Sequence, residues 1–322
     1  MVNAVIDFGG TNIKIALIKD SRILISSSIA ADSDNGIIPR LNEVKECIFV
    51  MLQKENMQLK NLNAVGIATP GIVNSIENRI MSINSKYADI IDLDFNKWCE
   101  ESFSCPLVMG NDAQLALLGE TSFGCAKGYE NAVLLTLGTG LGTAALIDGK
   151  LLLGKHFQAG CLGGHFIIDF HGRDCSCGGK GCAETLGGSR ELAKFAPLMK
   201  GFSESKLANE KQINMKVLIN LMKLKDEFCL NLFDTMMEVY AATIVNLIHA
   251  YDPEIVILSG GIMKSKEDIL PALVKKVHSL AWTPWGEVGF IVAEDPDSSV
   301  LLGLEAVIQR KFKNSINKNP VR

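Results

Sequence analysis

The sequence has no surplus of positive charge: 32 Lys+Arg stand against 36 Asp+Glu in 322 residues, a formal net charge of −4. A protein whose main task is to hold nucleic acid needs a basic face, so that function class is set aside at the outset. Nor does any run approach the roughly 18 consecutive apolar residues of a membrane span. No basic leader or cleavage site separates Met1 from the first apolar strand, so no secretory signal is expected. A cytoplasmic protein without a membrane partner is expected. What the chain does have is 48% apolar and 21% charged residues, the balance of a globular protein with a full core. Its length predicts two domains. The nine cysteines are an odd set, and Cys175, Cys177 and Cys182 crowd into one short stretch. In a reducing compartment that crowding points to a metal rather than to disulfides.

The chain opens as a strand, a tight glycine turn and a second strand: Val2 to Phe8, then Gly9-Gly10-Thr11, then Ile13 to Ile18. A related unit runs from Asn131 through Gly138-Thr-Gly-Leu-Gly142 to Ile147. A shift of 128 positions aligns Asn3, Ala4, Val5, Gly10, Thr11 and Ala16 with identical residues, six matches in the sixteen positions from Asn3 to Ile18. Two related halves are therefore expected. Helical spacing of Leu41, Val44, Ile48 and Leu52 predicts a helix to Lys54, and Leu232, Met236, Val239, Thr243 and Leu247 mark a long helix over 230–250, stopped before Pro253. Strands are expected at 64–68, 107–109 and 255–258, so the fold class is α/β. The residues from Lys311 to Arg322 read as a solvated basic tail.

Glycine after a strand lets a backbone approach phosphate closely, because no Cβ stands in the way. Asp7-Phe-Gly-Gly-Thr-Asn12 and Leu137-Gly-Thr-Gly-Leu-Gly142 are both of this kind. Neither continues as the Gly-Lys-Ser/Thr of a P-loop. The second contains GxGxG but runs into another strand rather than a helix, which excludes a dinucleotide fold. Asp7, a carboxylate at the end of an apolar strand, needs a partner, and Mg²⁺ near phosphates would be one. Asp112 follows a short strand and precedes a helix-like stretch from Gln114. It could N-cap that helix, or accept the proton of an attacking hydroxyl during phosphoryl transfer. His165, nine residues before Cys175-Ser-Cys177-Gly-Gly-Lys-Gly-Cys182, completes one imidazole and three thiolates, the closed ligand set of a structural Zn²⁺. His156 and His171 read as surface residues, His249 and His278 as helix residues.

Asp7-Phe-Gly-Gly-Thr-Asn-Ile-Lys14, Thr69-Pro-Gly71, Gly110-Asn-Asp-Ala113, Thr136 to Gly142, and Gly164-His165 with Gly181-Cys-Ala-Glu184 together resemble the ROK family of the sugar-kinase, actin and Hsp70 ATPase superfamily, over essentially the whole chain. The resemblance implies a two-lobed actin-like ATPase fold, duplicated RNase H-like domains with a zinc-binding loop, and ATP and sugar in a cleft. It implies a first lobe of 1–112 plus 301–322 and a second of 113–300. Asp7, Gly9, Gly10, Thr11, Asn12 and Lys14, with Gly138, Thr139, Gly140 and Gly142, would contact ATP and Mg²⁺, with Gly260 and Gly261 beside the adenosine. Asp112 would be the general base; Pro70, Gly71, Asn111, His165 and Glu184 would line the sugar. A homodimer is also implied.

One departure stands out. The family usually shows Ala-Gly-Glu, an apolar residue and Gly-His, with that Glu on the sugar; here Ala159-Gly160-Cys161-Leu162-Gly163-Gly164-His165 puts Leu162 or Cys161 in its place. A lost buried acceptor is worth about 1–3 kcal/mol, enough to change which sugar is preferred. The expected activity is transfer of the γ-phosphate of ATP to a hexose or hexose derivative. The alternatives are a non-catalytic sugar- or nucleotide-binding protein, a kinase for an atypical sugar, and a sugar-responsive repressor. The repressor is disfavoured by the acidic charge and by a phosphate motif that begins within seven residues of Met1, leaving no room for a DNA-binding domain before it.

Overall fold

The computed structural model describes residues 1–83 and 86–316; the end of the expected basic tail, from 317 on, lies outside the described residues. The chain divides into two compact units. Met1–Gly128, Leu153–Ala159 and the segment from Asp297 form the first, Tyr129–Leu152 and Gly160–Pro296 the second.

In the first unit β1 (Val2–Phe8), β2 (Asn12–Lys19) and β3 (Arg22–Ala30) form an antiparallel meander, and α1 (Ile38–Lys54) crosses to β4 (Leu62–Thr69). The hairpin β5 (Ile72–Asn74) and β6 (Arg79–Ser82) leads on to α2 (Phe95–Phe103), β7 (Leu107–Asn111) and α3 (Asp112–Ser122). The sheet order is β3-β2-β1-β4-β7, with β4 parallel to β1 and β7. Every residue of β1 is buried, which is why it reads as an unbroken apolar run rather than an alternating one. On one face Ile6, Phe8, Ile67 and Met109 pack with Val44 and Ile48 of α1 and Phe95 and Phe103 of α2.

In the second unit β8 (Ala132–Leu137), β9 (Leu141–Ile147) and β10 (Lys150–Leu151) repeat the meander. The short α4 (Glu184–Gly187) and α5 (Ser189–Phe195), then α6 (Met215–Lys223) and α7 (Glu227–Tyr251), precede β11 (Ile255–Ser259), α8 (Lys266–Leu280) and β12 (Gly289–Val292). Its sheet order, β10-β9-β8-β11-β12, matches the first strand for strand. The duplication seen at a 128-residue shift is thus a duplication of topology. The turns differ by one residue: 9–12 separates the Phe8 and Ile13 pair, and 138–140 separates Leu137 and Leu141.

The predicted stripe of α7 is buried at Leu232, Met236, Val239, Thr243 and Leu247. Asp226 caps its start by accepting from Cys229 N, and Asp252, in the left-handed region at φ 44°, ends it before Pro253. Among the described residues α7 is the one helix long and apolar enough to cross a membrane by length and composition, and 56% of that window is buried inside the protein, as in a core helix.

The first unit extends past the expected boundary at 112. The reason is α9 (Pro296–Ile316), which returns to it and crosses α3 at two glycines. A Cβ on Gly119 would run into the Ser299 carbonyl, and one on Gly303 into that of Leu115. The Ser299 hydroxyl also donates to the buried Glu120 carboxylate, so α3 and α9 are joined by polar contacts as well as packing. Farther along, Asn3 Nδ2 donates to Glu305 at 2.7 Å, and Leu304 and Ile308 cover Gly66 of β4.

Candidate active site

The first glycine turn is fixed through its carbonyls. The Tyr87 hydroxyl donates to Gly9 O at 2.6 Å and the Ser33 hydroxyl to Gly10 O at 3.0 Å. No peptide here is cis. In a trans peptide N–H points opposite to C=O, so Gly10 N–H and Thr11 N–H are turned away from those hydroxyls. Two such N–H groups on one turn form a cradle for an anion. Neither Gly9 nor Gly10 has positive φ. Space is what demands glycine: a Cβ on Gly9 would stand 2.7 Å from Asn12 O, and one on Gly10 would overlap the Lys86 ammonium.

Two carboxylates lie beside this turn. Asp7, on β1, is 6% exposed and sits opposite Lys14 in the ladder, with Lys14 Nζ 3.8 Å from it and 2.6 Å from Asp297. Asp112, the first residue of α3, is half-buried and accepts from Ala113 N at 2.8 Å and Asn111 Nδ2 at 3.0 Å. Burial, then the charge of Asp112, pushes the Asp7 carboxyl up to about 7, against the pull of Lys14. Burial raises Asp112 as well, opposed by the Ala113 N–H and by Lys86. Two crowded carboxyls that resist ionising together gain from a divalent cation, and oxygen donors are what Mg²⁺ takes.

The helix cap is Asn111, not Asp112: Asn111 Oδ1 accepts from Gln114 N at 3.1 Å, leaving Asp112 free of that task. Asn111 Nδ2 also donates to Gly71 O at 2.9 Å, joining the Thr69-Pro70-Gly71 turn to the end of β7. Gly71 has φ +92°, and a Cβ there would strike Ser82 O. Thr69, paired with Asn111 in the ladder, buries its Oγ1 without a hydrogen-bond partner among the described residues, as Gln114 does its Nε2. Orphaned polar atoms at the end of β4 and in the first turn of α3 are what a polar ligand or its waters would satisfy.

In the second unit, Glu184 Oε2 accepts from Leu141 N at 2.9 Å, and a Cβ on Gly140 would overlap that carboxylate. Ser189 N and Arg190 N donate to the carbonyls of Gly138 and Thr139 at 3.0 and 3.2 Å. Glu184, expected on the sugar, thus commits one oxygen to the second glycine turn. Gly142 lies in the β8–β9 ladder opposite Thr136. Gly260, at φ +94°, presses on the backbone of Leu137, where a Cβ would stand 2.8 Å from its carbonyl carbon; Gly261 faces open space.

His165, Cys175, Cys177 and Cys182 converge, with ligand atoms all within 4.8 Å of one another. Cys175 Sγ is 3.6 Å from His165 Nδ1 and Cys177 Sγ 3.7 Å from Cys182 Sγ. With Zn–S of about 2.3 Å and Zn–N of about 2.0 Å, the edges of a tetrahedron are about 3.5 Å for S to N and about 3.8 Å for S to S. The four residues fit zinc. Gly178 and Gly181, at φ +88° and +70°, make the turns that wrap the thiols. Burial, then the neighbouring thiols, pushes Cys182 up to about 12, so a cation is needed to hold three thiolates there.

Between these features lies the departure from Ala-Gly-Glu. Thr143, fully buried, donates to Gly160 O at 2.7 Å and accepts from Gly163 N at 2.8 Å, closing the loop that carries Cys161 and Leu162, both half-buried. Sequence reasoning missed Ser33, Lys86, Tyr87 and Thr143. Each is a lone polar residue outside any motif, and no spacing marks it.

A model described as the ROK family matches residues 3–311. The chain is 29% identical over 316 residues to a glucokinase of Thermotoga maritima, covering 95% of this chain and 97% of that one. It is 28% identical over 256 residues to the xylose repressor of Bacillus subtilis, covering 79% of this chain and 63% of the repressor. Among solved structures it is similar to a ROK family glucokinase from Streptomyces griseus in complex with glucose and AMPPNP, with a TM-score of 0.75 and 24% identity over 96% of this chain and 100% of that one. That likeness carries the fold, two α/β units of actin-like type.

Proposed function

The chain belongs to the ROK family, and from that premise we propose that it is an ATP-dependent carbohydrate kinase that phosphorylates a hexose or hexose derivative. The observation that carries the reading is the pairing of Asp7 and Asp112 at the ends of β1 and β7, beside a glycine turn whose Gly10 and Thr11 N–H groups point away from the hydroxyls that hold its carbonyls. Asp112 is the general base: with Asn111 taking the capping role, its carboxylate can accept the proton of the attacking hydroxyl. Pro70, Gly71 and Asn111 position the sugar in this unit. Gly9, Gly10, Thr11 and Asn12 bind phosphate oxygens, and Asp7 and Lys14 balance charge around them. Bound Mg²⁺ supplies further charge neutralisation at the phosphates, held on the Asp7 side. In the second unit Gly138, Thr139, Gly140, Gly142, Gly260 and Gly261 are the proposed nucleotide contacts, and His165 with Glu184 the proposed sugar contacts. His165, Cys175, Cys177 and Cys182 hold a structural Zn²⁺ that shapes this segment. Four protein ligands leave no open position for chemistry.

The test is ADP release over a panel of hexoses, N-acylhexosamines and deoxy or anhydro sugars, with Asp112→Asn as control. One sugar is expected to stimulate release, and the variant to lose about 10²–10⁴-fold in kcat. If no sugar stimulates release, the kinase reading fails and a binding role for sugar or nucleotide takes its place. Full activity in Asp112→Asn would remove Asp112 as the base.

A further inference from the structure

Lys86 belongs to no motif, yet the fold brings it to the first glycine turn. Its neighbour Tyr87 is held in the left-handed region at φ 48°, with its N–H donating to Ser33 O at 2.9 Å and its hydroxyl to Gly9 O at 2.6 Å. These two bonds pin residue 87 against the turn and send the preceding side chain across it. The place a Cβ on Gly10 would occupy is filled by Lys86, its Cδ, Cε and Nζ all in contact distance. The same ammonium is close enough to Asp112 to work against the effect of burial on that carboxyl. Lys14, a second cation near the turn, is drawn toward Asp297 and Asp7, and Arg40 pairs with Asp32 and Glu43. One positive charge therefore bears both on the turn that would hold phosphate and on the carboxylate that would take the hydroxyl proton.

We infer that Lys86 is a catalytic residue whose ammonium contacts the terminal phosphoryl group of the bound nucleoside triphosphate. The inference rests on the kinase reading above and names the cation that engages the transferred group. In the reaction the bond from the terminal phosphorus to the bridging oxygen of ADP breaks and a bond to the sugar oxygen forms. ADP leaves with the bond's electron pair, and the hydroxyl proton goes to Asp112. Lys86 keeps its proton throughout and follows the peripheral oxygens, on which the negative charge is carried during transfer. A flexible four-carbon stem suits a group that moves between donor and acceptor. The nearer contact would be to the terminal phosphate, so Lys86 should favour ATP over ADP.

Lys86→Met keeps an unbranched stem over Gly10 and removes the charge, so it separates propping the turn from binding phosphate. Calorimetric titration of the full-length protein with MgATP and with MgADP is the measurement, with thermal melting as a check and Lys86→Arg as the conservative variant. Lys86→Met is expected to weaken ATP about tenfold while leaving ADP within about twofold, and Lys86→Arg to recover part of the preference. With the sugar found by the panel, kcat should fall about 10²-fold with little change in the sugar KM. An unchanged ATP-to-ADP ratio in Lys86→Met overturns the assignment while the kinase reading stands. Equal weakening of both nucleotides with a lowered Tm shows a structural role and overturns it too. A parent protein that binds neither nucleotide sinks the kinase reading and this inference with it.

Discussion

A carboxyl held at about 7 on the end of a buried strand has consequences for stability that can be measured without knowing the substrate. Asp7 binds its proton more tightly in the folded chain than in the unfolded one, where 3.8 is its ordinary value. Its contribution to stability is fully present below about pH 4 and is lost as pH rises through about 7. Asp7→Asn removes that loss. The variant should be more stable than the parent at pH 8 by on the order of 1–4 kcal/mol, with the gap shrinking below pH 7 and closed by about pH 4, in urea melts of the ligand-free protein. A gap that does not depend on pH would show that Asp7 ionises freely. At this scale the motifs located Asp7, Asp112 and both glycine turns, since each is written in a few adjacent residues. They did not show why glycine is needed. At Gly10 and Gly140 the neighbours are Lys86 and Glu184, side chains 76 and 44 positions away in sequence, and only the folded chain brings them there.

Among the elements, the loop from His165 to Cys182 has no named strand and gathers four side chains that could hold a metal. Ile167 and Cys182 form one isolated bridge and Asp174 and Lys180 another, and turn bonds such as Gly181 N to Arg173 O and Cys175 N to Gly179 O hold the rest, a short-range framework that a bound metal would reinforce. The purified protein is expected to carry about one zinc per chain by elemental analysis. Cys177→Ser should lose most of it and lower Tm by on the order of 5 °C, and a chelator should act in the same direction. A metal-free parent that melts with the variant would end the zinc reading. Periodicity read α1 and α7 well because one face of each is buried and selects apolar residues at the helical repeat, whereas β4 and β11 were legible as short apolar runs because both faces are covered. The start of α3 was less legible: Asn111 and Asp112 are both good caps by type, and their backbone geometry, extended at Asn111 and helical from Asp112, settled which one serves.

On the scale of the molecule, each unit has its own core and the first is closed by a helix from the far end of the chain. Leu304 is fully buried over Gly66. Leu304→Ala should cost about 2–5 kcal/mol, seen as earlier exchange of the β1, β4 and α9 amides while β8, β11 and α7 keep their protection. Uniform loss across both units would mean that they unfold as one. The repeat of strand, glycine turn and strand was legible from six identities, and it correctly announced two sheets of one topology. The extent of the first unit was not. It follows from Gly119 and Gly303 letting α3 and α9 touch backbone to backbone, a contact between helices almost two hundred residues apart.

Local order, the cysteine and histidine cluster and the family were therefore written along the chain, because short-range sterics, burial periodicity and residue spacing act between near neighbours. Which distant side chains meet at the glycine turns, and which helix completes the first unit, was set by packing, since those contacts exist only once both sheets and their covering helices are in place.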